Sequence, residues 1–284
     1  MSSVVRELKL RQKKRRTKER QRHIVFGILG LLACMGVFFI PQFRVTTVSV
    51  SGLHVVSPDD VERVARTYLD GRAMLVYPRD NFFLVPTDDI ARAVREAFPR
   101  VIAADVSRSF PHSLFIKAQE RQVTAIWCMV DASLVGDEMD VVPEEILDAK
   151  RCFYLDESGI IFESAPGFSG SLIAKVRSYR DNDAVLGTSV VDSQTVRDLA
   201  LVGGRVRELF GTEIKEFMIG KEYKKDLQAI TEQGWYIRLE EGTDMKTSLD
   251  NLRLVLAKEV PDLGRLEYAD ARFPGKIFYK VQDK

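Results

Sequence analysis

Ile24 to Ile40 is an unbroken apolar run of seventeen residues, and the 23 residues before it hold ten Lys or Arg against two Glu. As a helix rising ~1.5 Å per residue the run spans roughly 26 Å, near the lower limit for a bilayer core. It is apolar on every face, which does not suit an amphipathic core helix. Arg22 and His23 can snorkel at one end, and Pro41 stops the helix at the other. A cleaved signal peptide needs small residues before the cut, where Phe38, Phe39 and Ile40 stand. The run therefore reads as a retained single-pass transmembrane helix. Arg44 is the one cation shortly after it. The asymmetry of basic residues predicts a cytoplasmic N-terminus and an extracytoplasmic position for residues 42–284.

Charge then limits what the rest can bind. The basic tail has a surplus of eight positive charges over a whole-chain net charge of +1, which leaves the remaining residues at −7. Topology and anionic lipid account for the tail, so no nucleic-acid partner is inferred. The acidic remainder has no electrostatic case for polyanions. Three cysteines are too few for a disulfide scaffold. Cys34 falls in the anchor. Cys128 and Cys152 fall outside, where a disulfide is permitted, but the expectation is two buried free thiols.

Residues 43–52 alternate β-branched and small polar residues and read as a strand ending at Gly52. Ser57-Pro58, followed by Asp59, Asp60 and Glu62, opens a helix with an N-cap hydroxyl. Val61, Val64, Ala65 and Tyr68 form its apolar stripe. A second helix begins at Thr87, buries Ile90, Val94, Ala97 and Phe98, and stops at Pro99. Strands follow at 101–109 and 113–120. Two helices on one face of a three-stranded sheet make a complete small α+β core. Beyond Arg121 come an apolar strand with Trp127, an acidic insert from Asp131 to about Lys150, and a hairpin at 153–163 with its turn at Asp156 to Gly159. Further on are a helix at about 192–210, strands at 213–219, 225–230 and 234–240, and a helix holding Leu249, Leu252, Leu256 and Val260. Two closing strands are joined through Arg272 to Lys276. Gly203-Gly204 within a helix predicts close helix–sheet packing, with a functional hinge as the alternative.

The residues offer no catalytic, cofactor or metal site. His23, His54 and His112 lie in separate segments, so no imidazole cluster exists for zinc or a Ser–His pair. Neither H-E-x-x-H, S-x-x-K nor a Gly-rich phosphate loop occurs.

In order, these segments resemble the FtsQ/DivIB family of bacterial cell-division proteins. The resemblance rests on VTTVSVSGLHVVSPDDV (45–61), VIAADVSRSFPHSLFIKAQER (101–121), VTAIW (123–127), YLDESGIIFE (154–163), GWYIRLEEG (234–242) and LEYADARFPGKIFYK (266–280). Two departures stand out. Gln122-Val123-Thr124 replaces the usual Pro after Glu-Arg, and the acidic insert is long. The resemblance implies a basic cytoplasmic tail (1–23), a membrane helix (24–40), a POTRA domain of β-α-α-β-β order (43–121) and a mixed β-sheet domain with flanking helices (122–284). It implies a non-enzymatic scaffold of the division septum. Its partners would be FtsB/DivIC-like and FtsL-like bitopic proteins and, through them, septal peptidoglycan synthases of the FtsW/FtsI type.

By the same resemblance, a partner adds a strand to the last edge of the β domain, at Arg272, Phe273, Gly275, Lys276, Ile277, Phe278, Tyr279 and Lys280. A terminal strand with one side unpaired suits such addition. Ile277 and Tyr279 would face the core, and Phe278 and Lys280 the other side. Arg272 has two open roles, a partner carboxylate or an internal ion pair with Asp270. Two other classes compete. One is a POTRA-type polypeptide-binding protein of secretion or envelope assembly, which would carry repeated POTRA units or a barrel. The other is a membrane-anchored cell-wall enzyme, which would need a catalytic constellation.

Overall fold

The computed structural model describes residues 21–32, 35–36, 39–73, 77–130, 152–165, 173–180, 185–221 and 225–282. Helix α1 takes in residues 21–32 and 35–36. Ile24, Phe26, Leu29 and Leu31 on it are each more than half exposed. Among the described residues no helix is long and apolar enough to cross a membrane. The expected anchor includes residues 33, 34, 37 and 38, which lie outside the described set, as do the basic tail up to residue 20 and the acidic insert 131–150. The chain divides between Glu120 and Arg121 into two compact units.

In the first unit the order is β1 (Thr47–Ser51), α2 (Pro58–Leu69), a short pair β2 (Arg72–Ala73) and β3 (Tyr77–Pro78), α3 (Thr87–Ala97), β4 (Val101–Ser109) and β5 (Ser113–Glu120). Strand β5 lies between β1, which is parallel to it, and β4, which is antiparallel. Strand β5 shows why this segment is a strand. Leu114, Ile116 and Ala118 are buried, and Phe115 and Lys117 point outward. Val61, Ala65 and Leu69 of α2 and Ile90 and Val94 of α3 close over that apolar row. Each large side chain so buried contributes about 1.5–3 kcal/mol. Ser57 occupies the N-cap position of α2, but its hydroxyl makes no capping bond, contrary to the expectation. Pro58 and the carboxylates of Asp59 and Asp60 define that helix start instead.

The loop between β1 and α2 is held by one side chain. Oε1 of Glu120 accepts the backbone N–H groups of His54, Val55 and Val56 at 3.1, 2.9 and 2.8 Å. Burial raises the carboxyl's pKa, but these amides and the Arg100 guanidinium outweigh it and hold the value below the usual range. The loop begins at Gly52, whose φ of +86° and close approach to the Ala118 carbonyl admit no Cβ.

In the second unit nine strands form one mixed sheet among the described residues: β6 (Ala125–Met129), β7 (Cys152–Leu155), β8 (Ile161–Ser164), β9 (Ala174–Ser178), β10 (Ile214–Ile219), β11 (Asp226–Thr231), β12 (Tyr236–Glu240), β13 (Leu266–Asp270) and β14 (Phe278–Val281). Their spatial order is β14-β13-β12-β11-β10-β9-β6-β7-β8. Helices α4 (Ser193–Phe210) and α5 (Met245–Glu259) contribute Val196, Leu199, Val202, Leu249 and Leu252 to a core with Trp127, Phe217 and Ile237 of the sheet. Both helices start at an aspartate cap: Asp192 accepts from Thr195 N at 2.7 Å and Asp244 from Thr247 N at 3.1 Å. Hydrogen bonding from Thr195 holds the Asp192 carboxyl below its usual range against the opposing effect of burial.

The structure changes three further sequence readings. Strand β9, absent from the sequence reading, sits mid-sheet and pairs in parallel with both β6 and β10. Its Val176 enters the core, and Arg177 is buried against Glu216 at 2.7 Å. Cys128 and Cys152 are not free thiols. The β6–β7 register places them directly opposite each other, and they form a disulfide. A methyl group at Gly203 or Gly204 would meet no neighbouring element within 4 Å, so close packing does not explain these glycines.

Replacing both Cys128 and Cys152 by serine opens the loop they close and is expected to lower stability by roughly 3 kcal/mol, measured by urea unfolding. Gly203→Ala and Gly204→Ala are each expected to raise it by about 1 kcal/mol, seen as a higher melting temperature by circular dichroism.

Candidate partner-binding edge

The two edges of the large sheet differ. At β8, Ile161 N donates to Thr188 O at 3.1 Å, Gly187 N donates to Ile161 O at 2.7 Å, and Ile160 bridges Ser189. The segment 187–189 thus bonds to the start of that edge, at Ile160 and Ile161. At the other end β14 pairs with β13 through Asp270–Phe278, Ala269–Tyr279 and Tyr268–Lys280. Among the described residues no strand pairs with its outer side. An edge in that condition presents a row of main-chain donors and acceptors.

The structure gathers the sequence-predicted residues 272–280 at this edge. Pairing opposite Ala269, a core residue, puts Tyr279 on the helix-covered face with Ile277 and Val281. Ile277 and Val281 pack on the core, while Tyr279 remains 37% exposed. Phe278, opposite Asp270, is on the other face and exposed, with its ring edge-on to Phe273 at 5.6 Å. Lys280 pairs with Glu267 at 2.9 Å. Gly275, with φ +72°, makes the turn that brings the chain back, closed by Lys276 N donating to Phe273 O at 3.0 Å.

Arg272 anchors the base of this turn. Its Nε and Nη2 donate to Asp270 at 2.9 and 2.6 Å, and its Nη1 donates to Asp226 at 2.8 Å. The guanidinium thus bridges β13 to β11 and lies 5.6 Å from the Phe273 ring centre. Of the two roles open in the sequence, the internal ion pair is present. Burial pushes the Asp270 carboxyl upward, but hydrogen bonds and charge from Arg272, with Arg238 beyond, bring it below its usual value. Hydrogen bonding to Asp270 raises Arg272 in turn.

Sequence reasoning missed two features beside the edge. Tyr236 and Tyr268 stack at 5.6 Å, with the Arg238 guanidinium over both rings. An open groove of about 450 Å³ runs between α5 and the 271–277 turn, lined by Thr247, Asn251, Leu254, Phe273 and Ile277 among others. Leu254 is 72% exposed at the groove, off the buried stripe of Leu249, Leu252 and Leu256. An apolar residue off the stripe of an amphipathic helix was a readable signal.

A β-α-α-β-β unit followed by a large mixed sheet with flanking helices is the architecture of a POTRA protein with a β domain. The POTRA family model of FtsQ type matches residues 43–121. Cell division protein FtsQ of Streptomyces venezuelae is 32% identical over 200 residues, covering 64% of this chain and 67% of that protein. Cell division protein FtsQ of Streptomyces bingchenggensis is 26% identical over 156 residues, covering 53% of this chain and 48% of that protein, so the chain spans two thirds of one relative and about half of the other. The chain belongs to the FtsQ family of cell division proteins.

Arg272→Ala removes the side-chain partner of a nearly buried carboxylate and is expected to cost roughly 2 kcal/mol at pH 7. The ion pair depresses the folded-state pKa of Asp270, so its stabilisation is complete above the unfolded value and lost as pH falls through the folded one. The gap between variant and wild type in urea stability should therefore begin to close as the pH falls below about 4 and vanish only below the folded value.

Proposed function

We propose that this protein is a non-enzymatic, membrane-anchored scaffold of the division septum. It holds FtsB/DivIC-like and FtsL-like bitopic partners and links them to septal peptidoglycan synthases of the FtsW/FtsI type. Residues 24–40 hold it in the cytoplasmic membrane, with the N-terminus inside and both domains outside. Family membership supports the septal role. The observation that carries the binding mode is the contrast between the two sheet edges: 187–189 bonds to the start of β8, and among the described residues no strand pairs with the outer side of β14.

A partner segment in extended form would pair with β14 through main-chain hydrogen bonds. Phe278 on one face and Tyr279 on the other would grip its alternating side chains. Phe273, Gly275, Lys276 and Lys280 would frame the site, and Arg272 would hold the turn. The groove beside α5 extends the apolar surface past the strand itself. Because Arg272 and Gly275 already fix the turn, little conformational freedom remains to be lost on binding.

Phe278→Ala with Tyr279→Ala is expected to reduce co-purification of the FtsB-like partner about tenfold or more, as loss of aromatic anchors does. The melting temperature should shift by only a few degrees, since both side chains are exposed. Undiminished retention of the partner by a folded variant would show that recognition lies elsewhere.

A further inference from the structure

A second exposed aromatic group lies in the first unit. Phe43, Phe82, Phe83 and Phe110 contact one another: Phe43–Phe83 at 5.5 Å, Phe43–Phe110 at 5.9 Å and Phe82–Phe110 at 5.8 Å between ring centres. Phe110 is 67% exposed and Phe83 46%. Burial of apolar area does not account for placing these rings outward, and such a patch marks a contact surface.

Three separate segments are held together to make it. Phe82 N donates to Phe43 O and Val45 N to Asp80 O, each at 2.7 Å, which stitches the chain leaving Ile40 to the 79–85 loop. Asn81 is fully buried and its side-chain oxygen accepts from Phe83 N at 2.9 Å. Arg108 Nη2 donates to Val85 O at 2.7 Å, pinning the same loop. Thr46 N donates to His112 O at 2.9 Å, which fixes the β4–β5 hairpin tip carrying Phe110. The rings are therefore presented by a stiff frame.

Topology selects the occupant. β1 is parallel to β5, with Thr47 opposite Ser113, so the hairpin tip lies at the end of the sheet where the chain arrives from the apolar run. Phe43 is three residues past Ile40, a reach of at most about 11 Å. Arg44 and Arg79 are exposed beside the rings, and Asp80 is half-buried. Aromatic rings flanked by cations match the headgroup layer of a bilayer containing anionic phospholipid. We propose that this patch docks the POTRA domain onto the outer surface of the membrane that holds the anchor. The proposal rests on the anchor reading and adds a second, peripheral contact that sets the domain's orientation.

The test uses the full chain in nanodiscs of phosphatidylcholine and phosphatidylglycerol carrying a lipid-attached quencher. In a Cys34→Ser background, Phe110→Cys bears a polarity-sensitive fluorophore. Val55→Cys, at the opposite end of β1 and 60% exposed, is the control. A third sample labels native Cys34. Position 110 should be quenched about threefold more than position 55 and emit at shorter wavelength, as a group in the interfacial layer does. If Cys34 is quenched and position 110 behaves like position 55, the docking face is refuted and the anchor stands. Transfer between labels at 110 on two molecules, without lipid quenching, would give the patch to a second copy and also refute it. If Cys34 itself is unquenched, the anchor reading fails and the proposal falls with it.

Discussion

Every strand added to a sheet satisfies one row of main-chain groups and exposes another, so an open sheet always ends in two unsatisfied rows. In this protein those two rows are treated differently. Residues 187–189 bond to the start of β8 at one end, and among the described residues no strand pairs outside β14 at the other. The remaining features of the candidate site follow from that difference. The Arg272 ion pairs fix where β14 begins, Ile277 and Val281 hold it to the core, and the exposed rings lie around the unpaired row.

The junction at Glu120-Arg121 applies similar economy. Glu120 serves the first unit by accepting three consecutive amides of the loop after β1. Arg121 serves the second by pairing with Asp156, whose other oxygen accepts from Ser158 N and Ile160 N in the β7–β8 turn. Adjacent residues thus complete irregular backbone in different units. A neutral residue at position 120 removes the shared acceptor of three loop amides, and one at position 121 removes the guanidinium from the buried Asp156 carboxylate.

Much of this was legible because it depends on local periodicity. The strand at 113–120, the stripe of α2 and the hairpin turn at Asp156 to Gly159 were read from the local pattern and are present. Strand β9 was not, because its five residues include Lys175 and Arg177, and a charged strand in mid-sheet is stable only through a partner such as Glu216 that is distant in sequence. The cysteine pairing failed for a related reason: it depends on the β6–β7 register, which spacing across a long insert does not define. The opposite faces of Ile277 and Phe278 were readable from parity along the last strand. The groove was missed because it joins Leu254 of α5 to the 271–277 turn, and only the folded chain brings them together. The Arg272–Asp226 bond spans 46 positions and was equally out of reach, whereas Asp270, two residues away, was not.

The disulfide between Cys128 and Cys152 has a consequence for the acidic segment it encloses. Residues 129–151 form a covalent ring closed through the two sulfurs rather than a simple stretch of backbone. A single protease cut inside that ring leaves both halves of the polypeptide attached to each other. The nicked molecule would migrate at full mass in a non-reducing gel and separate into two pieces only after reduction. The insert is thus a place where the chain can be broken and the molecule remain whole.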